Sequence, residues 1–443
     1  MPIPKQYRLR FAYHSTSIKN LPSVIDNGLL STNQKQQKNI THTDIANIQI
    51  QQRRSAMEVP ESGGKCVHDY VPFYFAQKTP MLLAVINKKN TDQENLIYFA
   101  LSLQYIDARD GVVFTNASAN GEELPKFYSA NQSQHLDDLS WNIINDGTWS
   151  YNDNDRRLKM AELLIPDSIP IQAFNHIIVW DDTVANEVER IFNSKKLTPP
   201  QIRPNKWHYY IDFSAPNQPF IAGPSLLKKL FEDTVTEIIR DNKGTHKYST
   251  LQSALQAIAT DFCAIKELDD INGLNADYGP HKDDVGKHSR RVASLVKHSD
   301  EYLNLNTEDQ MVLELAALLH DIGKGPKSRW KDSFMDKADN NHPRKSLPML
   351  YRIITQDIGG LSEDQVRTLT MLVTYDDLLG DIAANGRDRQ QLFDIITCEK
   401  DIQMLVALSK ADIGAINEKW LTNTSHIIDQ LRAEAVTIIT GGK

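Results

Sequence analysis

The most chemically loaded segment of the 443-residue chain is LELAALLHDIGKG, an apolar run that ends in adjacent His320 and Asp321 and continues through Gly323, Lys324 and Gly325. A His-Asp pair at the end of a buried helix is a poor core filler, because burying an ionised carboxylate costs several kcal/mol unless it is paired or holds a metal. His288 stands 32 residues upstream in DVGKHSRRVASLV, where Val285, Val292, Ala293 and Val296 form one apolar helical face. Asp412 lies downstream in LVALSKADIGAI, again a carboxylate inside an apolar helical run. Together these residues make a mixed nitrogen and oxygen ligand set with open positions, suited to Mn, Fe, Co, Ni or Mg, and the missing thiolates argue against structural zinc. The bland alternative is a satisfied pair of core histidines with Asp321 capping a helix.

A second group of residues lies in the first half of the chain. Glu162 in KMAELLIP shares a strand face with Met160 and Leu164, while Ala161, Leu163 and Ile165 line the other. Periodicity alone favours an edge strand with Glu162 facing water. In a partly dry cleft, the same carboxylate would stabilise a developing oxocarbenium ion or take a proton from a nucleophile. Arg53-Arg54 follows the polar segment THTDIANIQIQQ, and a paired arginine can clamp a pyrophosphate through fork-like bonds. Tyr13-His14-Ser15-Thr16 precedes a helical pattern, where hydroxyl and imidazole groups can cap it or meet a ligand. Trp141, Trp149 and Tyr151 lie between Asn131 and Asp155 and are candidates for stacking on a splayed base, with ordinary core packing an equal alternative, above all for Trp141.

The elements that must position these residues divide the chain in two. Up to about residue 190, short helical and short strand patterns alternate, as in an α+β domain. SIKNLPSVIDNGLL reads as a helix closed by Asn27-Gly28. DYVPFYF and the following TPMLLAVI both read as strands, with Pro72 marking an edge or an entry. NLIYFALSL, GVVFT, KMAELLIP and HIIVW supply further strands. Six prolines between Lys195 and Pro224 exclude regular helix or central strand there, so the domain boundary is expected in 196–224. From Ser225 onward the pattern is helical, an all-α domain over 225–443. A formal charge of −8 and 40% hydrophobic residues describe a globular protein whose phosphate partners, if any, must be met by a local basic groove. Three separated cysteines, no signal-like segment and no apolar run of membrane-spanning length predict a soluble, cytoplasmic protein without a membrane partner.

Two resemblances sharpen this reading. LLHDIGKG with the later His342 resembles the HD phosphohydrolase superfamily, most closely the HD domains of regulatory nucleotidyltransferase enzymes. The resemblance implies His288, His320, Asp321 and Asp412 as metal ligands, His342 as the extra histidine of two-metal members, and metal-activated water attacking phosphorus, with Lys324 neutralising a phosphate oxygen. Where such members have a further histidine this chain has Asp376, which leaves one ion or two open. The segments YHSTSIKNLPSVIDNGLL, IQQRR, HDYVPFYF, TPMLLAVI, GVVFTNASA and RRLKMAELLI occur in the order and spacing of the DarT family of DNA ADP-ribosyltransferases, over residues 7 to 195. That similarity implies Glu162 as the catalytic glutamate, His14 and Thr16 in an NAD-binding start, and Arg53 or Arg54 as the NAD-contacting arginine.

The expected whole is an α+β ADP-ribosyltransferase fold over 1–195, followed by a Pro-rich linker and an all-α HD domain. It would consume NAD, modify bases of nucleic acid, in the first place single-stranded DNA, and act as a toxin or anti-phage effector with a possible antitoxin or regulatory nucleotide. Two departures from the family, Lys78 for an arginine and Ser118 in the turn Asn116-Ala117-Ser118-Ala119, keep open a sensor that binds NAD or a strand without transfer.

Overall fold

A computed structural model of the chain describes residues 3–43, 48–120, 123–147 and 152–441. These fall into two compact units, Met1–Asn87 with Thr91–Ile221, and Lys88–Asn90 with Ala222–Lys443.

The first unit is built on an eight-stranded sheet. Its strands are β1 (Phe11–Ser17), β2 (Tyr70–Tyr74), β3 (Leu96–Ser102), β4 (Val113–Thr115), β5 (Phe127–Ser129), β6 (Glu162–Pro166), β7 (His176–Val179) and β8 (Gln201–Pro204), in the spatial order β8-β7-β3-β1-β2-β6-β4-β5. Only the β7–β8 pairing is parallel. Alternation along the strands sends Ala12, Phe73, Phe99, Leu163 and Ile177 to one core and Tyr13, Tyr98 and Ile178 to another. Tyr70, Val113 and Leu164 close a smaller cluster. The sheet is flanked by α1 (Leu21–Asn27), α2 (Ile48–Ala56) and α3 (Pro80–Asn87). At the end of α1, Gly28 adopts φ 76°, a conformation that favours glycine, and a side chain there would meet the Ile169 carbonyl oxygen at 2.6 Å.

Three expectations change. TPMLLAVI is not a strand: Thr79 accepts a hydrogen bond from the Leu82 N–H and Pro80 sets the first turn, so start signals prevail over the apolar run and α3 forms. Pro72 is inside the sheet and not at its edge; it falls where β1 and β2, which share the single register pair Tyr13–Tyr74, have already parted, so a missing N–H costs no ladder bond on that side. The proline-rich stretch is folded: Pro204 ends β8, an edge strand, and Pro219 ends Ala215–Pro219, one half of a two-stranded hairpin. Edge positions tolerate residues that cannot donate to the ladder.

The second unit is helical, apart from one parallel two-residue pairing of Asn275–Ala276 with Phe334–Met335. Its central helices are α4 (Val285–Val296), α5 (Thr307–Leu319), α6 (His342–Arg352), α7 (Glu363–Thr374) and α8 (Glu399–Ile416). Side-chain caps start three of them, at Asp284, Asn306 and Ser362. Helix α4 packs against α5 and α8, and α7 packs against α5 and α6. No helix among the described residues is long and apolar enough to cross a membrane.

Candidate active site and metal centre

In the first unit the sheet buries a carboxylate. Strand β6 lies between β2 and β4, so Glu162 is an interior residue with no exposed surface, contrary to the edge-strand expectation. Its two oxygens accept from the two Nη atoms of Arg54, each at 2.9 Å, a bidentate bond between residues far apart in sequence. The Ala119 N–H donates to Oε1 at 3.0 Å, and the Glu162 N–H donates to Thr115 Oγ1 at 3.0 Å. Burial works against charge on Arg54, but the adjacent Glu162 carboxylate more than offsets it and raises the guanidinium pKa. Arg53, the neighbouring candidate, is exposed. The turn containing Ser118 thus contributes through the backbone of Ala119, while Ser118 Oγ donates to Asn120 Oδ1 at 2.6 Å.

Tyr13, Tyr74 and Glu162 are successive register partners on β1, β2 and β6 and therefore share one face. Burial first, and then the Glu162 charge, push the Tyr74 hydroxyl pKa up. His14 and Thr16 project to the other face of β1; the His14 ring lies 5.6 Å from that of Phe73, and Nδ1 meets the Pro72 carbonyl at 2.7 Å across the parting strands. That bond makes Nδ1 the protonated nitrogen and leaves the Nε2 lone pair free of it, and burial lowers the His14 pKa to about 4. Thr16 Oγ1 accepts from Asn20 Nδ2 at 3.0 Å. The structure therefore joins Arg54 to Glu162 directly and sets His14 and Thr16 on β1, two strands away from β6, facing the other way.

Trp141 is a packing residue. It stacks on Tyr7 with centroids 5.2 Å apart, lies under the Arg10 guanidinium at 4.3 Å and donates to the Leu136 carbonyl. Trp149 and Tyr151 lie outside the described residues. Lys78 is buried, with its ammonium 5.5 Å from the Trp207 ring centre.

In the second unit the end of α5 delivers His320 and Asp321 to a buried cluster. His288 of α4 approaches Asp412 of α8 at 2.7 Å and Asp321 at 3.9 Å, and His320 Nε2 lies 3.5 Å from Asp321 and 3.6 Å from Asp412. His342, at the start of α6, lies 3.2 Å from Asp376, 3.8 Å from Asp377 and 3.8 Å from Asp321. Gly323 makes this close approach possible, because a side chain there would fall 2.0 Å from the His342 carbonyl oxygen. Both His320 and His342 donate Nδ1–H to a backbone carbonyl, of Ala317 and Asp339, each at 2.8 Å. This orients both rings so that Nε2 points towards the carboxylates, the nitrogen that a cation would take in place of its proton.

The donor set fits a divalent cation. His320 Nε2 and Asp376 Oδ1 are buried without a hydrogen-bond partner among the described residues. Two groups, His288 with His320 and Asp321, and Asp321 with His342 and Asp376, have the spacing to hold an ion. Of the four carboxylates gathered here, Asp321 meets the Lys324 ammonium, Asp377 is paired with Lys89 at 3.1 Å, and Asp376 and Asp412 face only imidazoles among their ion-pair partners. Burial opposes charge on His320, but Asp321 and Asp412 push its pKa up to about 10, and against the same opposition Asp376 and Asp377 raise His342 to about 9. A cluster that holds protons so firmly offers a divalent cation the same negative field. Lys324 meets both oxygens of Asp321, at 2.7 and 2.8 Å.

A cavity of about 240 Å³ opens on this cluster, lined by Tyr278, His281, Lys282 and Arg291 together with His288, Asp321 and Lys324. Sequence reasoning missed Tyr278, His281 and Asp377. The string DYGPHKDD before His288, with a Gly-Pro turn between an aromatic and a histidine, carried a signal for the first two.

Comparison with known proteins agrees with both halves. Residues 13–211 match the family described as "ssDNA thymidine ADP-ribosyltransferase, DarT", and residues 285–362 match the HD domain. A DNA ADP-ribosyl transferase of Thermus aquaticus (strain ATCC BAA-2747 / Y51MC23) is 32% identical over 204 residues, covering 45% of this chain and 88% of that protein. A DNA ADP-ribosyl transferase of Thermus sp. (strain 2.9) is 31% identical over 207 residues, covering 44% of this chain and 95% of that protein. The solved structure of Thermus sp. 2.9 DarT in complex with NAD+ is 28% identical, with a TM-score of 0.40, and the match covers 47% of this chain and 100% of that one. An α+β nucleotide-transferring unit followed by a helical HD unit is the class these observations define. The chain belongs to the DarT family, with an HD domain behind its transferase domain.

Proposed function

We propose that the first unit transfers ADP-ribose from NAD to a base of single-stranded DNA, and that the second is a metal-dependent phosphohydrolase. The observation that carries the first half is the buried bidentate Arg54–Glu162 pair at the interior of the sheet. Arg54 aims the carboxylate, and the Ala119 N–H holds one of its oxygens. Nicotinamide leaves as its glycosidic C–N bond breaks, and Glu162 stabilises the positive charge that develops on the ribose. A base nitrogen bonds to the anomeric carbon and gives its proton to Glu162. His14 and Thr16 are assigned to the nicotinamide mononucleotide half of NAD by the family resemblance alone, since both face away from Glu162. The acceptor is the base of a thymidine if this chain follows the description of its family; Lys78 and Ser118, which depart from the family pattern, leave the Arg54–Glu162 pair intact, and this favours transfer over a sensor that only binds.

In the HD unit His288, His320, Asp321 and Asp412 hold a divalent ion, with His342 and Asp376 beside them. Such an ion supplies Lewis acidity and an activated water for attack at phosphorus. Lys324, Lys282 and Arg291 line the cavity with positive charge for a phosphate group. We read the chain as a toxin or anti-phage effector, countered by an antitoxin or gated by a nucleotide, whose HD unit reverses or restrains the mark.

Incubation of the full chain with labelled NAD and single-stranded oligonucleotides tests the first half. Label on the strand, reduced about 10²–10⁴-fold in Glu162→Gln with the fold retained, is the expected result; undiminished labelling by that variant removes Glu162 from the role. For the second half, the double variant His320→Ala, Asp321→Ala accumulates more label than the unaltered chain if the HD unit removes the mark, and equal accumulation excludes removal.

A further inference from the structure

We infer that Trp207 and Lys78 form a subsite for a nucleotide of the single strand beside the acceptor base, with the indole stacked on that nucleotide's base and the ammonium on its phosphate. This rests on the reading of the first unit as a transferase acting on a strand, and it assigns residues that the Arg54–Glu162 pair does not use.

The subsite lies on the Glu162 face of the sheet. Glu162, Tyr74 and Tyr13 are register partners across β6, β2 and β1. The His208 ring sits on that face, its centroid 4.7 Å from that of Tyr13 and 5.5 Å from that of Tyr98. His208 closes the short turn Lys206–His208, which has Trp207 at its centre. Lys78 stands four residues beyond Tyr74, in the loop that leads from β2 into α3. At about 3.6 Å per residue this keeps its backbone within about 14 Å of that of Tyr74, close enough for a nucleotide flanking an acceptor base at Glu162.

Trp207 is held firmly, yet the fold does not bury its ring. Its N–H donates to Asn205 Oδ1 at 3.1 Å, and the hydroxyls of Tyr209 and Tyr210 donate to the Leu96 and Thr79 carbonyls at 2.7 and 3.0 Å. The three residues that follow it, His208, Tyr209 and Tyr210, are 2%, 0% and 2% exposed, whereas Trp207 is 63% exposed. A large ring on a fixed backbone loses little freedom when a base stacks on it.

Lys78 shows the opposite mismatch, a buried charge without an anion. It is 8% exposed, and its ammonium lies 5.5 Å from the Trp207 ring centre and 5.9 Å from that of Tyr210. It makes no hydrogen bond or ion pair among the described residues. Burial lowers its pKa, as befits an ammonium without a counter-charge. A buried cation of this kind is costly until an anion joins it. Lys206 and Arg203 also lack a carboxylate partner among the described residues; they bond to Asn217 Oδ1 at 3.1 Å and Gln201 Oε1 at 2.6 Å. Arg203 is the register partner of Ile178, which shares the Tyr98 face. In a chain of net charge −8, these three cations supply the local basic groove that a phosphate backbone requires. An indole beside an ammonium matches the alternation of base and phosphate along a single strand.

Binding of a fluorescent single-stranded oligothymidylate to the full chain tests this. Trp207→Ala is expected to weaken binding about 5- to 150-fold, while Trp207→Phe, which keeps a ring, retains most of the affinity. A strand of the same length without bases is expected to bind the unaltered chain and Trp207→Ala equally, a result that damage to the fold would not produce. Lys78→Gln is expected to reduce the slope of log affinity against log salt by about 0.7, the share of one phosphate contact. If that variant does not fold, the exposed Trp207 still carries the test. Equal oligothymidylate affinity in Trp207→Ala, or an unchanged salt slope in folded Lys78→Gln, overturns the inference, and labelling of the strand from NAD by the unaltered chain would leave the transferase reading standing. A folded, unaltered chain that neither binds nor labels the strand overturns both.

Discussion

Glu162 and Asp321 are both buried carboxylates, and the chain treats them in opposite ways. Glu162 receives a complete counter-charge from within the first unit, with two bonds from Arg54 and a third from the Ala119 N–H. Asp321 receives one ammonium while sharing its neighbourhood with three further carboxylates, and of the imidazoles beside it His320 keeps an Nε2 without a hydrogen-bond partner among the described residues. The histidines report the same contrast. In the first unit burial lowers His14 to about 4 and His208 to about 3, whereas in the second unit neighbouring carboxylates hold His320 and His342 up to about 10 and 9. One site is electrostatically closed and is ready to steady charge that appears during a reaction. The other leaves a buried imidazole nitrogen and a carboxylate oxygen without partners among the described residues, an arrangement that a cation from solution would complete.

The contrast is broken most severely at Arg54. Arg54→Ala strands the Glu162 charge in the sheet, and the first unit is expected to lose about 3–5 kcal/mol in denaturant unfolding. Arg54→Lys returns charge without the fork and recovers part of that loss. In the second unit, metal removal is the corresponding injury. If the ion is normally present at about a hundred times its Kd, chelation removes about 2.7 kcal/mol and lowers the Tm of the HD unit, while DNA label is retained, and increased if the HD unit removes the mark. Loss of labelling on chelation would show that transfer by the first unit itself needs the metal.

Acid sharpens the comparison more gently. His14 and His208 have folded pKa values below the unfolded value of about 6.5, so the unfolded state takes up protons first. Their contribution is complete above about pH 6.5 and is lost as the pH falls towards about 4. Hydrogen-exchange protection factors in the first unit, taken relative to the intrinsic rate at each pH, are expected to fall over that interval, less so in His208→Gln. The smallest effect belongs to Arg53→Ala: an exposed side chain next to the critical one should change stability by under about 0.5 kcal/mol, and a larger loss would mean that the two arginines share the role.

Much of this was legible because chemistry and periodicity agreed. His288, His320, Asp321 and Asp412 stand out as polar groups at the apolar ends and faces of helices, and the folded chain brings all four together. Arg53 and Arg54 were indistinguishable in the sequence, since adjacent helical residues differ only in which face is buried, and that depends on what packs there. Ala119 contributes a backbone N–H, which has no sequence signature. TPMLLAVI misled because an apolar run is compatible with strand or helix, and Thr79-Pro80 decided between them.

By its own pattern of residues the chain determined the sheet and helix content, the two-part organisation and the set of groups capable of chemistry, because local periodicity and charge burial are read from near neighbours. Tertiary structure decided which arginine meets Glu162, that the Glu162 strand is interior, and that Asp321 turns one oxygen towards each set of imidazoles. Those outcomes depend on strand order and helix packing between segments far apart in sequence, where small rotations choose the partner and no local pattern specifies them.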